Sequence, residues 1–154
     1  MISPEILRRY PFFSELDDPA LKAIAMIAEE VAFGKGDVIY ETGQPNPYVY
    51  LLEEGCIESY LVVEDPNSAA NRKEFYLDDI DLGEVFGISA LVEPKVHTTS
   101  AVASRAGKLV RISAPGLESL GELNPRLGYV LMRAMAGSLL SRLHQDRIQL
   151  AAAR

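Results

Sequence analysis

Between Asp37 and Val63 the chain reads DVIYETGQPNPYVYLLEEGCIESYLVV, and this stretch narrows the fold more than any other. Short β-branched and aromatic runs are parted at close intervals by Gly43-Gln44-Pro45-Asn46-Pro47 and by Glu53-Glu54-Gly55. Runs this short do not support helices, and their spacing predicts antiparallel hairpins. Val31-Ala32-Phe33, before the turn residues Gly34-Lys35-Gly36, predicts the first strand. The polar stretch from Glu64 to Lys73, with Asp65-Pro66-Asn67-Ser68 inside it, reads as an exposed loop. Glu74 to Leu77, Thr98 to Ala103 and Lys108 to Ile112 read as further strands. Seven or eight short strands imply a closed barrel or a sandwich.

Helical patterns flank this region on both sides. Ile2 to Tyr10 reads as a short helix, followed by Pro11-Phe12-Phe13. Asp18 stands where an N-cap belongs, with Pro19 at the first helical position, and Leu21, Ile24, Ala25 and Ala28 then give one apolar stripe. Near the end of the chain, Ser113 predicts a cap for a helix through Leu123, and Asn124-Pro125 starts a longer one reaching Leu150. Along that last helix Met132, Ala136, Leu139 and Leu143 follow the three-four spacing of a coiled-coil seam, continued by Asp146 and Leu150. Leu127, Val130, Leu131 and Ala134 supply a neighbouring apolar surface, so one stripe can pack on the strands and another on a partner helix.

The 154 residues suit one domain, with 48% hydrophobic and 24% charged residues. Its expected division is N-terminal helices over 1–30, a β-roll over 31–112 and C-terminal helices over 113–154. The net charge of −7 repels nucleic acid and anionic lipid, so neither is an expected partner. Cys56 is the only cysteine, which excludes an intrachain disulfide, and its small side chain next to Gly55 reads as strand packing. The N-terminus lacks the apolar core of a secretion signal, and no apolar run approaches the roughly 20 residues needed to span a bilayer. Together these features point to the cytoplasm. Tyr40, Tyr48, Tyr50 and Tyr60 read as barrel packing, divided between the two faces by strand alternation.

In order, these elements resemble the cyclic nucleotide-binding domains of catabolite-activator-type regulators over nearly the whole chain. The resemblance rests on Phe12-Phe13 before a helix, on Lys35-Gly36-Asp37-Val38-Ile39, on Gly43, and on Tyr50-Leu51-Leu52 leading to Gly55 at a strand turn. It implies a mainly β fold with flanking helices, a cyclic nucleotide-binding-like antiparallel β-roll (jelly-roll barrel) with short N-terminal helices and a long C-terminal helix. It also implies a phosphate-binding cassette over 83–103, here GEVFGISALVEPKVHTTSAVA. Phe86-Gly87-Ile88-Ser89-Ala90-Leu91 matches its first half, with Ile88 where the family has the glutamate that accepts from the ribose hydroxyls. Thr98 to Ala103 matches the second half, with His97 where the family has the arginine that pairs with the cyclic phosphate. Glu84 lies three residues before Gly87 and does not replace the missing glutamate.

A ligand at this cassette is expected to meet Gly87, Ile88, Ser89 and Ala90, whose amides open a short helix, together with Lys95, His97, Thr98 and Thr99. Ile88 either fills the barrel mouth or marks a pocket suited to an apolar ligand. His97, titrating near about 6.5, is either a barrel-mouth residue or a pH-dependent anion contact. The expected function is a non-enzymatic regulatory sensor or interaction domain with a degenerate nucleotide pocket and no cofactor. It would signal through a homodimer of the last helix, whose seam is Met132, Ala136, Leu139 and Leu143, or through a protein partner. Regulators of this family that bind DNA carry a winged helix-turn-helix after the long helix, and Ala151-Ala152-Ala153-Arg154 leaves no residues for one, so direct operator binding is not expected. The alternative is binding of cyclic AMP, cyclic GMP or another phosphorylated metabolite through Lys95, His97 or Thr98. A cupin-like metalloenzyme lacks ligands, since His97 and His144 are the only histidines, and no catalytic triad pattern appears.

Overall fold

The computed structural model describes the backbone of residues 1–154 and every side chain except that of Ala69. Helix α1 (Pro4–Arg8) and a 3-10 turn at Pro11–Phe13 lead into α2 (Asp18–Met26). Six strands follow: β1 (Ala28–Phe33), β2 (Val38–Tyr40), β3 (Tyr48–Asp65), β4 (Ser68–Ile80), β5 (Val85–Phe86) and β6 (Ser100–Ser113). A 3-10 turn at Ile88–Leu91 separates β5 from β6, and α3 (Ala114–Leu123) and α4 (Pro125–Ala152) close the chain. The caps of both last helices are as expected: Ser113 Oγ accepts from Gly116 N at 3.1 Å and Asn124 Oδ1 from Leu127 N at 3.3 Å. For α2 the cap is Asp17 rather than Asp18: Asp17 Oδ1 accepts from Ala20 N at 3.0 Å, leaving Asp18 free to pair with Arg8 at 2.6 Å.

All pairings are antiparallel and run in the order β1-β6-β3-β4, with β2 added to β6 and β5 added to β3. Strands β3 and β6 form the spine, paired from Tyr48↔Ser113 to Tyr60↔Ser100. The sequence suggests more and shorter strands, and the difference has a local cause. Glu53-Glu54-Gly55 does not turn the chain; it shifts the β3–β6 register between Leu52 and Ile57, so the strand bends and continues. Gly55 sits at φ +91°, and a Cβ there would lie 2.7 Å from Ala106 O. The polar segment after Val63 is also strand rather than loop: only Pro66-Asn67 turn, with Asn67 N donating to Asp65 Oδ1 at 2.8 Å.

YVYLL in β3 is apolar on successive residues because both faces of its sheet are covered. Val49 and Leu51 face a core shared with Val110, Ile112, Ile24, Leu117, Leu127 and Leu131, where the helices pack. Tyr50 and Leu52 face the interior of the roll with Phe33, Tyr40, Ile57, Ile80, Phe86 and Leu109. Tyr40, Tyr48 and Tyr50 form one aromatic run rather than dividing between faces, with ring centroids 5.6 and 6.1 Å apart, while Tyr60 pairs with Tyr76 at 5.9 Å. Cys56 is only partly buried.

Glu53 lies on β3, with Oε1 sealed from solvent and unpartnered. Burial first, then the neighbouring Glu30 carboxylate, pushes its carboxyl up to about 7. Its folded value exceeds the unfolded value of about 4.3, so its contribution to stability is complete below that point and is lost as pH rises through about 7. Glu53→Gln is therefore expected to raise the melting temperature relative to the parent at about pH 8, with the advantage fading toward about pH 4. Calorimetry at the two pH values checks this, and equal differences at both would contradict it.

Candidate functional site

The chain turns from β5 into the 3-10 segment at Gly87, where φ is +70° and a Cβ would fall 2.7 Å from the Tyr50 ring. Glycine is required at that point both by conformation and by space. Asn46, only 3% exposed, holds the turn from beneath. Its Nδ2 donates to Gly87 O at 2.8 Å and to Ser89 Oγ at 3.2 Å, and its Oδ1 accepts from Tyr48 N at 3.1 Å. The second half of the cassette is bound to the same loop, with Gly43 N donating to His97 O at 2.8 Å and His97 N to Gln44 O at 2.9 Å.

Together these segments border a cavity of about 590 Å³. Tyr40, Ile80, Phe86 and Ile88 give it apolar walls, and Ser59, Ser89, His97, Thr98 and Thr99 give it polar ones. The His97 ring lies on the Tyr40 ring, 3.8 Å between centroids and 8° from parallel. Burial drives the His97 imidazole down to about 4 and the Tyr40 hydroxyl up to about 12. The imidazole is thus neutral at physiological pH, which favours the barrel-mouth reading of His97 over a contact titrating near about 6.5.

Helix α4 passes over this cavity. Leu139, Arg142, Asp146, Gln149 and Leu150 line it, spaced as one helical face, and Leu77 and Asp78 of β4 complete the border. Arg142 is engaged: its guanidinium binds the Glu84 carboxylate and donates to Val85 O at 3.1 Å. Burial raises the Asp78 carboxyl, with Arg142 working against the shift and Glu84 and Asp146 adding to it.

Of the expected ligand contacts, Gly87, Ile88, Ser89, His97, Thr98 and Thr99 border the cavity. Ala90 and Lys95 do not. Ala90 is 1% exposed and belongs to the core beneath the helices. Lys95, whose backbone φ is +58°, pairs instead with Glu118 of α3 at 3.0 Å. Met132, Ala136 and Leu143 are exposed along α4; Leu139 is exposed too, but it also reaches the cavity. Asn46, Ser59, Asp78, Arg142 and Asp146 were not singled out as site residues from the sequence. The spacing of Leu139, Arg142, Asp146 and Gln149 marks a helical face, but nothing local in the sequence says that this face meets the roll. Arg105, the other arginine near the cassette, is exposed on β6. Among the described residues no group of three or more histidine, cysteine, aspartate or glutamate side chains is arranged to hold a metal ion. No described helix is long and apolar enough to cross a membrane.

The family model for the cyclic nucleotide-binding domain matches residues 30–124, well over half of the chain. A cAMP-dependent protein kinase regulatory subunit from Aspergillus fumigatus is 30% identical over 74% of this chain. A CRP-like cAMP-activated global transcriptional regulator from Mycobacterium tuberculosis is 24% identical over 88% of it. The matched regions span 25% and 58% of the lengths of these curated relatives. The crystal structure of a candidate cyclic nucleotide-binding protein from Geobacter metallireducens superposes with a TM-score of 0.78 at 37% identity, covering 94% of this chain and 100% of that one.

Asn46 is expected to be the residue on which the cassette turn depends. Asn46→Ala removes three hydrogen bonds and leaves Gly87 O only the 3.3 Å bond from Ala90 N, which should lower unfolding stability by about 2–3 kcal/mol. Asn46→Asp should recover little, since a carboxylate cannot donate to a carbonyl. Urea titrations with an unchanged slope would report the loss, and an Asn46→Ala midpoint equal to the parent's would contradict it.

Proposed function

Because this chain belongs to the cyclic nucleotide-binding domain family, we propose that it is a regulatory sensor or interaction domain whose pocket has lost the standard nucleotide contacts. The observation that carries the reading is the state of the two anchor positions. Where the resemblance puts the phosphate-pairing arginine stands His97, a neutral imidazole packed on Tyr40. Where it puts the ribose-accepting glutamate stands Ile88, which has no acceptor. The guanidinium that does border the cavity, Arg142, is taken by Glu84 and Val85 O. Hydrogen bonds to charged groups are worth about 1.5–3 kcal/mol each, so losing both anchors weakens a cyclic nucleotide by two or more orders of magnitude. The amides at Gly87 and Ile88 remain, but they give an anion no counter-charge. The kinase regulatory subunit and the transcriptional regulator among its relatives support a regulatory rather than a catalytic role.

The output of such a domain is α4. Its 28 residues extend about 42 Å. Buried residues are confined to its first half, at Leu127, Val130, Leu131 and Met135. Met132 at 49%, Leu139 at 47% and Leu143 at 44% exposed continue at heptad spacing, Leu139 lining the cavity as well. A second copy of α4 packed on this stripe gives a homodimer whose geometry carries the signal.

Two measurements test these statements separately. Isothermal calorimetry of the parent protein is expected to show no saturable heat with cyclic AMP or cyclic GMP up to about 1 mM, and a micromolar dissociation constant for either would overturn the pocket reading. Size-exclusion chromatography with light scattering should return a dimer, and Leu143→Glu a folded monomer; a monomeric parent would remove the dimer from the reading.

A further inference from the structure

Among the described residues four polar ones are buried: Asn46, Ser59, His97 and Ser100. Two are satisfied within the protein. Asn46 bonds to the cassette, and Ser100 Oγ lies 2.8 Å from Thr42 Oγ1. The other two, His97 at 4% and Ser59 at 6% exposed, both border the cavity. Among the described residues neither side chain has a hydrogen-bond partner, although buried polar groups nearly always have one. Their polar atoms are not sealed in, for Glu53 Oε1 is the only described side-chain atom that is both closed off and unpartnered. They open instead on a space of about 590 Å³, within the usual range for small-molecule sites.

The charges around that space restrict what enters it. Asp78, Asp146 and one guanidinium, that of Arg142, border it, and that group is already bound to a third carboxylate, Glu84. An anion would exchange its hydration for a border with more negative than positive charge. A neutral imidazole and a hydroxyl each offer one donor and one acceptor, suited to an uncharged polar group. Tyr40, Phe86, Ile80 and Ile88 around them suit flat apolar surface.

We propose that this cavity binds an uncharged, largely apolar small molecule with a single hydrogen-bonding group, which His97 and Ser59 recognise. The proposal rests on the reading that the nucleotide contacts have been lost, and it names the class of ligand that replaces the nucleotide. Ile88, out of place beside a ribose, becomes part of the apolar wall.

The test uses the full chain with N-phenyl-1-naphthylamine as a fluorescent reporter, displaced by 2-naphthol or by its anionic counterpart 2-naphthoate. The parent should take up the reporter, and 2-naphthol should displace it at least about tenfold more effectively than 2-naphthoate. His97→Phe keeps a ring on Tyr40 but removes the nitrogens, and Ser59→Ala removes only the hydroxyl. Each should weaken 2-naphthol by about three- to tenfold, and Ser59→Ala keeps the test decisive if His97→Phe does not fold. No uptake of the reporter, equal displacement by 2-naphthoate, or unchanged 2-naphthol binding in a folded His97→Phe or Ser59→Ala protein would overturn the proposal. Cyclic AMP in the same assay separates the two readings: displacement at micromolar concentration overturns the lost-contact reading beneath this one, whereas failure of 2-naphthol alone overturns only the ligand class.

Discussion

The close approach of β3 and β6 at Gly55 and Gly107 is the constraint on which the rest of the structure depends. A Cβ on Gly107 would fall onto Glu54 O, and one on Gly55 would crowd Ala106 O, so no side chain fits on either strand where the two backbones meet. The register shift there lets two long strands bend together without losing their pairing on either side. On one side of the bend β3 pairs with β5 and carries the helices; on the other it pairs with β4. Tyr50, Leu52 and Leu109 before the bend can then share an interior with Ile57, Ala101 and Ala103 beyond it. The cavity lies against that shared interior, so its shape derives from a contact that involves none of its own residues.

The same bend shows what the sequence can and cannot convey. Caps were legible because they are local: Ser113 and Asn124 each act on an amide three residues away. The cassette was legible through its resemblance, which named Gly87, Ile88, Ser89, His97, Thr98 and Thr99, all of them on the cavity border. Glu53-Glu54-Gly55 looks like a turn because glycine permits positive φ in a turn and in a bulge alike, and only the partner strand decides between them. The polar run after Val63 looks like a loop because strand propensity is read from half-buried surfaces, and this hairpin is exposed on both faces. Ser59, Asp78, Arg142 and Asp146 carry no local signal as site residues. Asp78 stands just before the cassette but on another strand, the other three lie more than 20 positions from it in sequence, and the roll and α4 bring all four to it.

That arrangement also decides how pocket and helix communicate. Beyond Met135 no residue of α4 is buried, so its C-terminal half is held to the roll chiefly by Arg142, through Glu84 and Val85 O. Glu84 in turn belongs to the turn that begins β5, where its Oε2 accepts from Asp81 N at 2.8 Å. A ligand that displaced the β5 turn would thus act directly on the polar tie of the helix. Ala136 and Leu143, proposed for the seam, stand within one turn of the cavity-facing Leu139 and Arg142, so a shift of the helix that serves one face necessarily moves the other. In the proposed dimer, coupling through a single helix would require no chain of intermediates: the element that borders the cavity would also present the proposed pairing surface.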